Sequence, residues 1–220
     1  SFDVTCVCNM YKRPESLVKQ VSALEQQTLK PKEILLYQDG IAGDDYKIEL
    51  LDSLKKRFSN IKIAAENTGV WERFRFAKDA ASSPYVCVFD DDTIPGERWL
   101  ENCHAQMMEH EGVYGTNGII LKDEKNYPLK GFLNVGWHAP VAKTTQVDFV
   151  GHSWFFPRKC LDYMFDGTEQ FQSLKYVGED MCISIKAKEH GILTYVPPHP
   201  SSDISLWGSI PLFGRIFGTS

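Results

Sequence analysis

Several signatures that would fix a function class at once are missing from this chain. No G-x-G-x-x-G follows any early strand-like run, which disfavours a Rossmann dehydrogenase. The six cysteines (Cys6, Cys8, Cys87, Cys103, Cys160, Cys182) form no C-x-x-C pair and no zinc-ligand spacing. No apolar run approaches the roughly 20 residues that cross a bilayer, and the amino end is polar and charged rather than signal-like. Positive charge is also short: 24 Lys+Arg against 29 Asp+Glu leave a net −5. That balance offers no general basic face, so neither a nucleic-acid backbone nor an anionic membrane is an expected partner, although a local basic pocket is compatible with it. Internal repeats and a clear linker are lacking too.

What is present is ordinary globular composition, 43% hydrophobic and 24% charged. Cys6, Cys8 and Cys87 sit inside apolar strand-like runs, where a free thiol packs as a small hydrophobe, and this favours a reducing, cytoplasmic setting. The chain begins at Ser1 and not at Met. It is therefore also open to being part of a longer protein, luminal or membrane-associated if an anchor has been removed.

The first ninety residues alternate strand-like and helix-like segments, the pattern of a parallel sheet covered by helices. Strands are expected at Val4 to Cys8, Ile34 to Tyr37, Ile61 to Ala64 and Tyr85 to Phe89, with helices from Pro14 to Gln27, Asp44 to Phe58 and Val70 to Ala81. Beyond Asp90 the rhythm changes to a helix over Glu97 to Glu109, short strands near Gly118, Gly131 and Val147, and a helix over Asp180 to Glu189 capped by Gly191. The expectation is one α/β domain over 1–200. Its amino-terminal half, 1–92, is of nucleotide type, and its carboxyl-terminal half, with a smaller mixed β region, is 93–200. Residues 201–220, rich in Ser and Gly, read as a mobile tail or lid.

The strongest local signal is Val86-Cys87-Val88-Phe89-Asp90-Asp91-Asp92-Thr93, an apolar strand running into three carboxylates. Side chains alternate across a strand, so Asp90 and Asp92 share one side and Asp91 takes the other. Two carboxylates at the carboxyl edge of an open α/β sheet suit Mg²⁺ or Mn²⁺, with a diphosphate completing the shell. The plainer alternative is an acidic turn capping the next helix, but three adjacent acids repel one another unless cations offset them.

With these elements in order, the sequence resembles the GT-A fold glycosyltransferases, particularly the large family-two-like group that uses nucleotide sugars. The resemblance runs from about Val4 to Pro200. The first-strand loop of that group is matched by Tyr11, Arg13 and Pro14, its D-D-G-S by Asp39-Gly40 with one acid missing, its N-x-G by Asn67-Thr68-Gly69, and its D-x-D by Asp90 and Asp92. A helical Arg of the group is matched by Arg73 or Arg75, one position out of step; residues two apart on a helix face different ways, so at most one meets the diphosphate. The resemblance implies a donor site from Tyr11, Arg13, Asp39, Asn67, Arg73, Arg75, Asp90, Asp91 and Asp92. It also implies a UDP-sugar donor, Mn²⁺ or Mg²⁺, and a carbohydrate acceptor.

Glu179-Asp180 opens a helix, where acids are favoured by the helix dipole and serve as plain capping residues. By the resemblance this pair is catalytic, Asp180 taking the proton of the acceptor hydroxyl in an inverting displacement. His152 and Trp154, polar and aromatic groups in one stretch, suit a sugar pocket or the core alike. Related folds place a further metal ligand after a late strand, which implies His199 beside Asp90 and Asp92. Trp207, expected exposed in a Ser/Gly segment, suits a lid over nucleotide or a contact with another protein. Two other function classes remain open from sequence: metal-dependent nucleotidyl or phosphoryl chemistry, although the loop Asn9 to Pro14 has no Gly, and a non-catalytic nucleotide-sugar-binding module.

Overall fold

A computed structural model of the chain describes residues 2–40, 52–123 and 125–211. In chain order its elements are β1 (Val4–Met10), α1 (Pro14–Glu25), β2 (Glu33–Gln38), β3 (Asn60–Ile63), α2 (Glu72–Ala80), β4 (Tyr85–Phe89), α3 (Trp99–Glu109), β5 (Gly112–Leu121) and β6 (Phe132–Gly136). The remainder are β7 (Thr145–Val147), β8 (Phe149–Pro157), α4 (Lys159–Met164), α5 (Glu169–Gln172), α6 (Glu179–Glu189) and β9 (Leu193–Val196). They build one sheet in the order β3-β2-β1-β4-β8-β5-β9-β7, with β6 on the edge of β5. Strands β3, β2, β1 and β4 are mutually parallel. Strand β8 then joins antiparallel to both β4 and β5.

Alternation along the central strands explains why both faces of the sheet are covered. Val7, Val86, Val88, Trp154 and Phe156 point to one face, where α2, α4 and α6 supply Phe74, Leu161 and Ile183. Cys6, Cys8, Cys87, Phe89 and Phe155 point to the other, against Leu17, Val21 and Leu24 of α1 and Trp99 and Leu100 of α3. Buried on both sides, these strands read as unbroken apolar runs. Helix α1 starts with Pro14 in its first turn, where a missing N–H leaves no helical bond unmade. All six cysteines are free and buried, as expected for strand and helix thiols acting as small hydrophobes.

Three expectations are corrected by the fold. The mixed region is not the smaller share of the sheet, since β5 to β9 supply five of its nine strands. Strand β8 takes up Phe149–Pro157, with His152 and Trp154 inside it, and β5 begins at Gly112, six residues before the expected start. Glycines obscured β5: a Cβ on Gly115 would lie 2.3 Å from that of Val150 on β8, so the position needs the absence of a side chain rather than β propensity. Residues 201–211 are not a loose tail. Trp207 is buried, its indole N–H donates to the Pro200 carbonyl, and its own carbonyl accepts from the Gly96 N–H. Residues 212–220 lie outside the described residues, as do residues 44–51 of the expected Asp44–Phe58 helix; its described end closes in a 3₁₀ turn, Lys55–Arg57. Among the described residues no helix is long and apolar enough to cross a membrane.

Candidate active site

Every parallel strand delivers polar residues at its carboxyl end, the edge at which open α/β sheets bind ligands. After β1 come Tyr11 and Arg13, after β2 Asp39, after β3 Asn67 and Thr68, and after β4 the three acids. Asp39 is buried and fixed, its Oδ1 accepting from the Thr68 N–H at 2.7 Å and the Thr68 hydroxyl at 2.9 Å. Asn67 donates to the Tyr11 hydroxyl at 3.1 Å and accepts from the Gly69 N–H, so the first and third loops are tied together.

The acids converge by a turn rather than by strand alternation. Strand β4 ends at Phe89, and the Thr93 N–H closes back on the Asp90 carbonyl at 3.2 Å. Carboxylate oxygens of Asp90 and Asp92 and a ring nitrogen of His152 lie within 4.8 Å of one another, while one guanidinium nitrogen of Arg13 lies 3.1 Å from Asp91 and 3.6 Å from Asp92. Two hard oxygen donors and one imidazole fit Mn²⁺ or Mg²⁺. Helix α1 braces the turn from behind. Gln20 donates to the carbonyls of Asp90 and Thr93, and Ser16 to that of Asp91. Sequence reasoning missed both, although Ser16 and Gln20, four apart among the apolar residues of α1, were the available signal.

Arg73, on α2, is the hub of the site. Its guanidinium is 4% exposed, stacks over the Trp154 ring at 5.0 Å, and donates to Asp90 at 2.5 Å and to Glu179 at 3.2 Å. Burial pulls its pKa down, but the charges of Asp90 and Glu179 outweigh that and hold it up. The carboxylates shift the other way. Burial lifts Asp91 to about 7 against the pull of Arg13, and lifts Glu179 to about 7 against that of Arg73. Asp92 and Asp180 are raised as well, first by burial. Such crowding of raised carboxyls around one buried cation is the electrostatic pattern of a candidate functional cleft.

His152 holds a positive φ of 67° beside Gly151, where β8 bulges against β5. A side chain in that region is strained, and here the strain turns the His152 carbonyl to the Asp90 N–H at 2.9 Å and brings its ring to the acids. Trp137 and His138 stand beside it, at ring distances of 5.3 and 6.4 Å; neither was anticipated from sequence.

Four residues fall outside this cluster. Trp154 is core, its N–H on the Val150 carbonyl. Arg75 pairs with Glu72, donates to Gln172 and lies over Phe165. Trp207 is packed as described. His199 is fully buried, with Nδ1 on the Pro197 carbonyl and Nε2 against the Thr116 hydroxyl, so both nitrogens that could bind an ion are already used. The imidazole beside Asp90 and Asp92 is that of His152.

No curated protein matches the chain in sequence. Solved structures match in fold, 376 chains among them. One is the crystal structure of S. aureus TarS, similar at 16% identity and a TM-score of 0.57, over 89% of this chain and 36% of that one. The family model described as Glycosyl transferase family 2 matches residues 5–165. With a GT-A arrangement of strands and acids beneath that match, this chain belongs to glycosyl transferase family 2.

Proposed function

We propose that the protein moves a sugar from a UDP-linked donor to a carbohydrate acceptor, in one in-line displacement with inversion and with Mn²⁺ or Mg²⁺ bound. The observation that carries this reading is that a single guanidinium, Arg73, bonds both Asp90 of the strand-end acids and Glu179 beside Asp180. Donor side and acceptor side are thereby one crevice, with 1–92 forming the nucleotide half and 93–200 the acceptor half.

Asp90, Asp92 and His152 are the residues that would hold the ion, and a divalent ion there supplies charge neutralisation for the departing diphosphate. The chain does the rest. Asp39, prefixed by Thr68, accepts from the uracil N–H or a ribose hydroxyl, Tyr11 packs on the base, and Arg13, with Asp91 beside it, faces the phosphates. Asp180 takes the proton of the acceptor hydroxyl as that oxygen bonds the anomeric carbon and the bond to the diphosphate oxygen breaks. Its raised pKa strengthens it as a base, and a positioned base contributes about 10²–10⁴ in rate.

The test pairs transfer with binding. Asp180→Asn is expected to lower transfer by about 10²-fold or more, while UDP with Mn²⁺ still raises the melting temperature as in the wild type. Unchanged transfer in Asp180→Asn removes the base assignment. A thermal response to GDP rather than UDP changes the donor, and a response without metal removes the ion.

A further inference from the structure

A cavity of 380 Å³ opens beside the acidic pair, between one face of α6 and the sheet edge. The helix contributes Met181, Ser184, Ile185 and Lys188, positions three and four apart that align on one face and extend for about 10 Å at the helical rise. Met181 adjoins Asp180 in the chain, and from Met181 the cavity runs along α6 toward Lys188. Across from the helix stand Phe149, at the start of β8, and Tyr127, braced edge-on by Phe149 and Phe132 at 5.5 and 5.4 Å. The Tyr127 hydroxyl is close enough to Asp180 that its pKa is raised by burial and then by that charge.

Two details point to a ligand. Ser184 is 2% exposed, yet its hydroxyl has no hydrogen-bond partner, an arrangement that buried polar atoms rarely keep unless something else completes it. The next residue, Ile185, is 56% exposed, an apolar side chain left facing the groove. Apolar surface interleaved with the hydroxyls of Ser184 and Tyr127, the Asp148 carboxylate and the Lys188 ammonium does not match a lipid chain, which would leave Ser184 unsatisfied. It matches pyranose rings, which present flat apolar faces and hydroxyl edges.

We propose that this groove is an acceptor track that seats a carbohydrate longer than a single sugar, the reacting unit lying at Asp180 and the following unit extending along α6 toward Lys188. The proposal rests on the acceptor class given above. Ser184 Oγ bonds a hydroxyl of the second unit, and Ile185 and Tyr127 carry its apolar faces.

Labelled wild type, Ser184→Ala and Ile185→Glu are applied to immobilised mono- to tetrasaccharides, and each protein is also melted with UDP and Mn²⁺. Wild-type retention is expected to rise from mono- to disaccharide and beyond. Ser184→Ala should lose about fivefold of that gain, the worth of one hydrogen bond. Ile185→Glu, an exposed site that tolerates the change in folding, should lose about tenfold or more. The proposal is overturned if retention depends on length identically in all three proteins, or if the wild type retains no oligosaccharide. Loss of the UDP and Mn²⁺ response with the length effect intact would instead strike the donor assignment and leave the groove standing.

Discussion

Arg73 is buried with its charge satisfied from two sides, by Asp90 and by Glu179; without it Glu179 would be an uncompensated charge in a nearly dry setting and Asp90 one in a partly hydrated setting. Breaking such a pair from one side destabilises by about 3–5 kcal/mol. Arg73→Met should lower unfolding stability by that amount in urea titration; a loss under about 1 kcal/mol would mean that the carboxyls are simply protonated in its absence. His199 poses the opposite problem, a buried ring that has to stay neutral. Its Nδ1–H donates to Pro197, so Nε2 is an acceptor for the Thr116 hydroxyl and the Gly208 N–H, and a proton there would face two donors. Burial accordingly depresses its pKa to about 4. The unfolded chain, with a His pKa near 6.5, then binds the extra proton first, so stability present above pH 6.5 is lost as pH falls toward 4. The shift is worth about 3 kcal/mol. Against His199→Gln, measured by denaturation at pH 7 and at pH 4, the wild-type advantage is expected to shrink on acidification; a constant advantage would contradict a neutral buried ring.

Elements meet at one junction that ties the loops after β1, β2 and β3 to the loop ahead of α6. The turn at Asn67 to Gly69 bonds Tyr11 and Asp39, and the next residue, Val70, donates its N–H to the Lys175 carbonyl ahead of α6. The Trp71 indole donates to the Val177 carbonyl two residues later in the same loop. Gly69 allows this approach twice over, since its φ is +82° and a Cβ there would lie 2.0 Å from the Lys175 oxygen. Gly69→Ala is therefore expected to push the two loops apart, costing about 1–3 kcal/mol in backbone strain. It should also weaken UDP binding and slow transfer together, read by calorimetry and by rate. Loss of stability alone, with both functions retained, would show that the junction is only structural.

At the scale of the molecule, the sheet is a common floor with two independent coverings, and Phe74 of α2 is the keystone of one of them. It is fully buried, edge-on to Trp154 at 5.2 Å and stacked near Phe156, and the Arg73 guanidinium lies over the same Trp154 ring. Phe74→Ala is expected to remove about 3–5 kcal/mol of stability by leaving a cavity. Arg73 would be loosened with it, so affinity for Mn²⁺ with UDP should fall as well. The core thus supports the site through one indole ring, and a variant that lost stability while binding the nucleotide normally would separate the two.

Much of this was legible before folding, and for a local reason. Unbroken apolar runs, Pro14 at a helix start and carboxylates directly after an apolar strand are properties of neighbouring residues, so the α/β order and the pair Asp90 and Asp92 were legible from spacing, whereas Asp39, the alternative of Arg73 or Arg75, and Glu179-Asp180 were reached through the family resemblance. Contacts between distant segments were not legible. Whether the third imidazole belongs to His152 or to His199 depends on a bulge in β8 against β5 and on the burial that occupies both nitrogens of His199. Trp154 reads the same in sequence whether it lines a pocket or floors it, and only the stacking of strand β8 between β4 and β5 made it floor. Sequence fixes what each residue can do chemically; which groups share one crevice is set by pairings of residues far apart in the chain, such as Arg73 with Glu179, 106 positions away, and these exist only once the sheet has formed.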